Sequence, residues 1–328
     1  MFAIGSYQLT GNLLLAPMAG VTDLPFRRLC RHFGAAMTTG EMVTSDTRLW
    51  NSRKTRTRLP DVTEAEPRSI QIAGTEPEQL AEAARQSVRA GAQIVDINMG
   101  CPAKKVCSKA AGSALLKDVE LVRRILGTVV AAVDVPVTLK FRTGWCESSR
   151  NALTIAQLAE DQGIAALALH GRTRADGYRG KAEYETVRKV KQQVAIPVIA
   201  NGDISSPDDA EFILNYTQAD ALMLGRSTWG QPWIFEDLIR FQSNSKLASS
   251  TKAPGRNQVI LDHIKAIHDF YGADAGLRIA RKHIGWYLER RSDPRKLPEY
   301  RKRIFGITCP SKQLQELDEL LVSDSASY

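Results

Sequence analysis

A chain of 328 residues can bury one large core or two domains, and none of its apolar runs reaches the ~18 residues of a membrane span. Its 5 cysteines make no disulfide framework: the closest pair, Cys101 and Cys107, has neither redox nor zinc-knuckle spacing, which points to a reducing cytoplasm. The net charge of +8 is unevenly spread, with 16 Lys+Arg against 6 Asp+Glu in residues 240–312, 28 against 26 in residues 1–239, and 4 acids in the tail from 313.

The N-terminus has an apolar Leu13-Leu14-Leu15 but no basic segment before it, so it reads as a first strand and not as a signal peptide. Apolar, β-branched runs follow at about 35–42, 69–74, 94–99, 136–142, 166–170, 197–201 and 221–225. Amphipathic stretches with helix-end signals separate most of them. Pro77 opens one that Gly91 closes, Gly163 closes residues 151–162, and Ser206-Pro207 opens another with Asp208 and Asp209 in its first turn. Eight continuous apolar strands alternating with helices in about 240 residues predict a parallel (β/α)8 TIM barrel. No G-x-G-x-x-G follows a strand, which argues against a dinucleotide-binding open sheet. The predicted organisation is a barrel over 1–241, a Ser/Pro/Gly-containing linker over 242–257 and a small basic all-helical domain over 258–328, with helices at 258–271, 275–291 and 311–322.

A barrel carries its chemistry on the loops at the carboxyl ends of its strands. In this chain those ends read Ala16-Pro17-Met18-Ala19-Gly20, Gln71-Ile72-Ala73-Gly74, Asn98 with Cys101, Lys140 with Arg142, His170-Gly171-Arg172, Asn201-Gly202-Asp203 and Gly225-Arg226. Nearly every one offers a polar group or a glycine where a core would want bulk. Cys101 follows the strand Ile94–Ile97 and the turn at Met99-Gly100, with Pro102, Lys104 and Lys105 behind it. A single cysteine is more often structural, but this polar, dibasic setting favours a reactive, partly open thiol. Lys140 lies inside a strand reading Val137, Thr138, Leu139, Phe141, where a lysine needs an anionic partner such as a reduced flavin. Gly202 and Gly225, with Arg226, fit the phosphate site that barrels build after their last two strands. His263 and His268 are five apart, wrong for one helical face, so no metal site is expected.

The densest basic stretch, 278–303, sets ten cations, among them Arg278, Arg281 and Lys282, against three acids. Trp286, Tyr287 and Tyr300 are interleaved with them, a pattern that suits a surface tracking phosphates and stacking on bases. No exposed apolar stripe or heptad run advertises a protein partner, so a monomer is expected.

Taken together, Ala16-Pro-Met-Ala-Gly20, Gln71-Ile-Ala-Gly74, Asp96-Ile-Asn-Met-Gly-Cys-Pro102, Leu139-Lys-Phe-Arg-Thr-Gly144, His170-Gly-Arg-Thr173, Asn201-Gly-Asp203 and Gly225-Arg226 closely resemble the tRNA-dihydrouridine synthases, most of all the bacterial B subfamily. The resemblance covers nearly the whole chain and is weakest after about residue 290. It implies an FMN-dependent reduction of tRNA uridines driven by NADPH, with hydride passing from flavin N5 to uracil C6 and Cys101 giving the proton to C5. It further implies that Pro17, Met18, Ala19 and Gln71 line the flavin, that Lys140 and His170 attend it, and that Asn201, Gly202, Asp203, Gly225 and Arg226 hold its phosphate. Asn98 and Arg172 become donors to the uracil, and Arg278, Arg281 and Lys282 contacts for tRNA. Two other readings stay open. A flavin barrel acting on free pyrimidines, like dihydroorotate dehydrogenase, would not need the basic domain, and a non-catalytic RNA-binding protein would not need Cys101, Lys140 and His170 intact.

Overall fold

The computed structural model describes residues 2–243 and 255–325, and these divide into two compact units, Met1–Gly225 and Arg226–Tyr328. The first unit opens with a short antiparallel hairpin of β1 (Ala3–Ile4) and β2 (Tyr7–Gln8). Nine parallel strands follow: β3 (Leu13–Leu15), β4 (Met37–Thr38), β5 (Val43–Thr44), β6 (Ser69–Ala73), β7 (Ile94–Met99), β8 (Val137–Arg142), β9 (Ala166–His170), β10 (Val198–Asn201) and β11 (Ala221–Leu224). Their order is β4-β3-β11-β10-β9-β8-β7-β6-β5. The strand expected at 35–42 is two short ones, β4 paired with β3 and β5 paired with β6. Between them Thr39 bridges to Ser69 and the Gly40 N–H donates to the Ser69 carbonyl at 3.0 Å, closing the ring. The fold is the predicted (β/α)8 barrel.

Helices form where the end signals place them. Pro77–Arg89 is followed by Gly91 at φ +99, and Ala152–Asp161 by Gly163 at φ +83. The positive φ values need glycine because a Cβ is disfavoured there. Ser206 and Asp209 form a reciprocal capping box at the start of Pro207–Thr217, which satisfies two backbone donors that the helix itself leaves open.

Period-two alternation gives the barrel interior a gradient. Leu14, Ile94, Ala166, Ala168, Ile199, Ala221 and Met223 pack with Ile4 and Leu9 of the N-terminal segment in one buried apolar cluster. Along the same faces, two residues further on, stand Asp96 and Asn98 on β7, Lys140 on β8, His170 on β9 and Asn201 on β10. The apolar layers hold the barrel together. The polar layer at the carboxyl ends forms the site.

The second unit is helical: Ile234–Gln242, Arg256–Tyr271, Ala273–Arg291, Leu297–Phe305 and Pro310–Ser325. Ile260, Ile264, Ile284, Leu288, Ile304 and Leu317 are fully buried in it. Its boundary falls at Arg226, not near 242, because Trp229 stacks on Trp286 at 4.4 Å and Glu236 pairs with Arg256 at 2.7 Å. Of the expected linker 242–257, residues 244–254 lie outside the described residues; Gln242 ends one helix and Arg256 starts the next. Leu297–Phe305 was not foreseen. Its Pro298 sits in the first turn, where proline is tolerated. The aromatic side chains of the basic stretch also need correction. Tyr287 and Tyr300 are 1 % and 5 % exposed, and Trp286 is stacked on Trp229, so none of the three forms an open stacking surface. Helical spacing puts them on the core-facing stripe, which sequence periodicity alone did not separate from a binding face.

Candidate active site

The thiol of Cys101 lies on the turn leaving β7, half-buried. Asn98 organises that turn: its Oδ1 accepts the backbone N–H of Cys101 at 3.0 Å and of Gly100 at 3.3 Å. From the other side Arg142 donates Nε to the Gly100 carbonyl at 2.8 Å and Nη1 to the carbonyls of Thr173 and Gly177, each at 2.8 Å. The Cys101 carbonyl accepts the Ser113 hydroxyl at 2.9 Å. Gly112, at φ +61, passes so close that a Cβ there would sit 2.8 Å from that carbonyl. Desolvation holds the Cys101 thiol above its ordinary pKa, and the nearby Arg142 and Lys140 charges only partly offset it. Lys104 and Lys105, the dibasic pair behind the turn, are exposed on the short helix Lys104–Cys107. With its pKa raised, the Cys101 thiol keeps its proton at neutral pH.

Beneath the turn runs a chain of buried polar side chains. Asn98 Nδ2 donates to Gln71 Oε1 at 2.7 Å, Gln71 Nε2 donates to Asp96 Oδ2 at 2.7 Å, and Thr138 Oγ1 donates to Asp96 Oδ1 at 2.6 Å. Next to it Lys140, 9 % exposed, donates to Asn201 Oδ1 at 2.8 Å, and Asn201 donates in turn to the Met223 carbonyl. Burial raises the Asp96 carboxyl to about 6 and lowers the Lys140 ammonium to about 8, each shift opposed by the charge of the other. Each charge favours the ionised form of the other, a buried pair near the site centre.

The third part of the site joins the ends of β9 and β10. Gly202, at φ +125, lies against the His170 ring, and Asp203 is left-handed at φ +40. Arg172, 3 % exposed, binds Asp203 Oδ2 at 2.5 Å and the carbonyls of Gly180 at 2.7 Å and Arg179 at 3.1 Å, and touches His170 Nε2 at 3.3 Å. The Tyr184 hydroxyl donates to the Gly202 carbonyl, and burial raises its pKa. At the end of β11, Gly225 has no left-handed φ, and a Cβ on it would meet nothing nearer than Met18 Sδ at 3.8 Å and Ala16 Cβ at 3.9 Å. The protein's own packing does not call for glycine there.

Comparison with known proteins fits this geometry. The sequence profile described as "Dihydrouridine synthase (Dus)" matches residues 14–325. The chain belongs to the dihydrouridine synthase family. It is 59% identical over 285 residues to tRNA-dihydrouridine synthase B of Pseudomonas aeruginosa, covering 87% of this chain and 86% of that one. With the tRNA-dihydrouridine synthase B of Vibrio vulnificus it shares 51% over 315 residues, 96% and 97% of the two chains. Among solved structures, the old yellow enzyme homologue of Zymomonas mobilis superposes with a TM-score of 0.54 at 14% identity, over 76% of this chain and 93% of that one, a likeness of fold.

The structure gathers Gln71, Asn98, Cys101, Lys140 and Asn201 into one connected layer and sets His170, Gly202 and Asp203 beside it. Met18 and Gly225 adjoin. Arg172, read from sequence as a uracil donor, is a buried brace whose guanidinium is engaged by Asp203, two carbonyls and His170. Arg226 begins the turn Arg226–Thr228 directly after Gly225 in the chain. Arg278, Arg281 and Lys282 lie on helix Ala273–Arg291 of the second unit, with Arg278 exposed. Sequence reasoning missed Asp96 and Glu41. Glu41, 4 % exposed, accepts the Gly20 N–H at 2.6 Å and pairs with Arg58 at 2.7 Å, tying the Ala16–Gly20 turn to Arg58. Asp96 could have been found by the argument used for Lys140, a charge inside an apolar strand. Among the described residues there is no cluster able to hold a metal and no helix long and apolar enough to cross a membrane. All five cysteines are free.

Proposed function

We propose that this chain is a tRNA-dihydrouridine synthase that reduces the C5=C6 bond of specific uridines in tRNA, working in the cytoplasm with FMN and NADPH. The observation that carries the reading is the half-buried, protonated Cys101 held by Asn98 and Arg142 beside the buried Lys140. When bound and reduced by NADPH, FMN supplies hydride for C6 of the uracil. The donor set suits it: a buried ammonium for an anionic ring edge, a glycine beside Met18 that the protein's own packing does not require, and the Gly202–Asp203 turn for a phosphate. Pro17, Met18, Ala19 and Gln71 would line the ring, with Lys140 and His170 at its polar side. Asn201, Gly202, Asp203, Gly225 and Arg226 would hold the phosphate end.

Cys101 delivers its proton to C5. Burial keeps that proton on the thiol until charge develops at C5, which is what a general acid requires. Asn98 fixes where the thiol stands, and Lys140 places positive charge near the reacting centre. The second unit supplies cations for the tRNA backbone, with Arg278, Arg281 and Lys282 on one helix face by their spacing of three and four. The target base must leave its stack to reach the barrel.

The test is to incubate unmodified tRNA transcript with the purified protein, FMN and NADPH, digest the RNA and measure dihydrouridine by mass spectrometry. The wild type forms it, and Cys101→Ala retains tRNA binding but forms less than about 1% as much, the loss typical of a missing general acid. Reduction of free uracil or orotate with none in tRNA would instead establish a small-pyrimidine enzyme.

A further inference from the structure

The proposed mechanism uses Cys101 and Lys140 but gives no role to Asp96, the buried carboxylate of the same layer. Asp96 stands at one end of a relay whose other end is the cysteine turn: Asp96 to Gln71 at 2.7 Å, Gln71 to Asn98 at 2.7 Å, Asn98 to the Cys101 N–H at 3.0 Å. Both middle members are primary amides, which can flip and exchange donor for acceptor. An ionised carboxylate cannot, because it only accepts. With an acceptor at Asp96, Gln71 must turn its Nε2 inward and its Oε1 toward Asn98. Asn98 must then present Nδ2 to Gln71, and its Oδ1 is left facing the backbone N–H groups of Gly100 and Cys101. A flipped Gln71 would set Oε1 against the carboxylate and Nε2 against Asn98 Nδ2, two repulsions in one move.

We propose that Asp96 is a positioning residue for Cys101: its acceptor oxygen fixes the sense of the Gln71 and Asn98 amides and through them the turn that carries the thiol. Thr138 holds the carboxylate in place from β8 through its hydroxyl at 2.6 Å. The geometry also tells which property of Asp96 matters. Asparagine at 96 keeps an oxygen for Gln71 while its amide N–H faces Thr138, whose hydroxyl can turn to accept it. Leucine at 96 keeps the bulk and removes the acceptor.

The catalytic consequence rests on the reading of Cys101 as the acid, so the primary readout is one that does not. Iodoacetamide labelling of Cys101 in the full chain is followed by mass spectrometry, with Cys146 and Cys309, half-buried like Cys101 but remote in sequence from its turn, as internal references. Asp96→Leu loosens the turn and speeds Cys101 alkylation at least fivefold with Cys146 and Cys309 unchanged. Asp96→Asn stays within twofold of wild type. Gln71→Met cuts the relay at its middle, reproduces the Asp96→Leu result, and carries the same test where Asp96→Leu does not fold. In tRNA reduction, Asp96→Leu lowers kcat about tenfold with KM for tRNA unchanged, and Asp96→Asn restores it. Cys101 labelling within twofold of wild type in Asp96→Leu or in Gln71→Met overturns the proposal. So does Asp96→Asn behaving like Asp96→Leu, since charge and not the acceptor would then be at work. A wild type that forms no dihydrouridine overturns the functional reading instead, and labelling still decides the relay.

Discussion

Two histidines in the helical unit make its stability depend on acid in a way that can be worked out in advance. His263 and His283 are 3 % and 2 % exposed and stand edge-to-face at 5.0 Å, with His263 Nδ1 at 2.8 Å from the Tyr287 hydroxyl. Burial pushes His263 down to about 3 and His283 well below its ordinary value, His263 and Lys282 adding repulsion to the latter. Both are neutral in the folded unit at pH 7, while in the unfolded chain each titrates near 6.5. Above pH 6.5 neither state binds the proton and stability is at its full value. As pH falls from 6.5 toward 3, the unfolded chain takes up protons the folded unit refuses, so stability is lost across that window. Each imidazole approaches a slope of about 1.4 kcal/mol per pH unit well below pH 6.5; since the unfolded group is half-protonated at 6.5, it contributes about 1.6 kcal/mol between pH 6.5 and 5, and the pair about 3 kcal/mol. That is a large part of the 5–15 kcal/mol that ordinarily holds a domain together. Hydrogen exchange of the Ala273–Arg291 amides, corrected for the intrinsic rate, reads the opening free energy at each pH. Protection should fall by about 3 kcal/mol between pH 6.5 and 5, and His263→Gln should remove about half of the slope. Protection constant to within about 1 kcal/mol over that range would refute the reasoning.

Three other perturbations test separate parts of the site. Asn98→Ala strips the acceptor from two backbone N–H groups and the donor from Gln71. At about 1 kcal/mol per hydrogen bond, the turn loses about 3 kcal/mol of support, and rapid-mixing absorbance should show slower flavin reoxidation by tRNA with the NADPH step unchanged. Gly202→Ala forces a Cβ to 2.7 Å from Ala182 Cβ at φ +125; a strain of about 1–3 kcal/mol should lower FMN retention on gel filtration. Arg278→Glu places an acid on the exposed face of helix Ala273–Arg291 and should weaken tRNA binding while reducing the salt dependence of log K by about 1, as read by filter binding at several salt concentrations.

Much of the barrel was legible because its signals are local. Pro77, Gly91, Gly163 and Ser206-Pro207 mark helix ends by chemistry that needs no tertiary context, and the runs at 94–99, 136–142 and 166–170 are continuous because both faces of a parallel sheet are covered. The split of the second strand into β4 and β5 was not legible: the break at Thr39–Met42 is set by pairing to different neighbours, β3 and β6, which only closure of the ring decides. The site was read well where a residue is anomalous for its element, as Lys140 is in β8, and less well where its role depends on what it faces. Arg172 looked like a substrate donor because it follows His170-Gly171, yet its guanidinium meets Asp203 from the next loop, 31 positions away. Of the aromatic residues that share 278–303 with the cations, Tyr287 and Tyr300 are buried and the half-buried Trp286 is stacked on Trp229.

The central claim is that electrons enter this barrel from NADPH and leave to a uridine in tRNA, with Cys101 supplying the proton. The most direct measurement is the visible spectrum of the purified protein loaded with FMN, recorded without oxygen as NADPH and then unmodified tRNA are added. The flavin band should bleach with NADPH, persist bleached with free uracil, return with tRNA, and return far more slowly in Cys101→Ala. A band that returns equally fast in Cys101→Ala, or that tRNA does not restore in the wild type, would contradict the account.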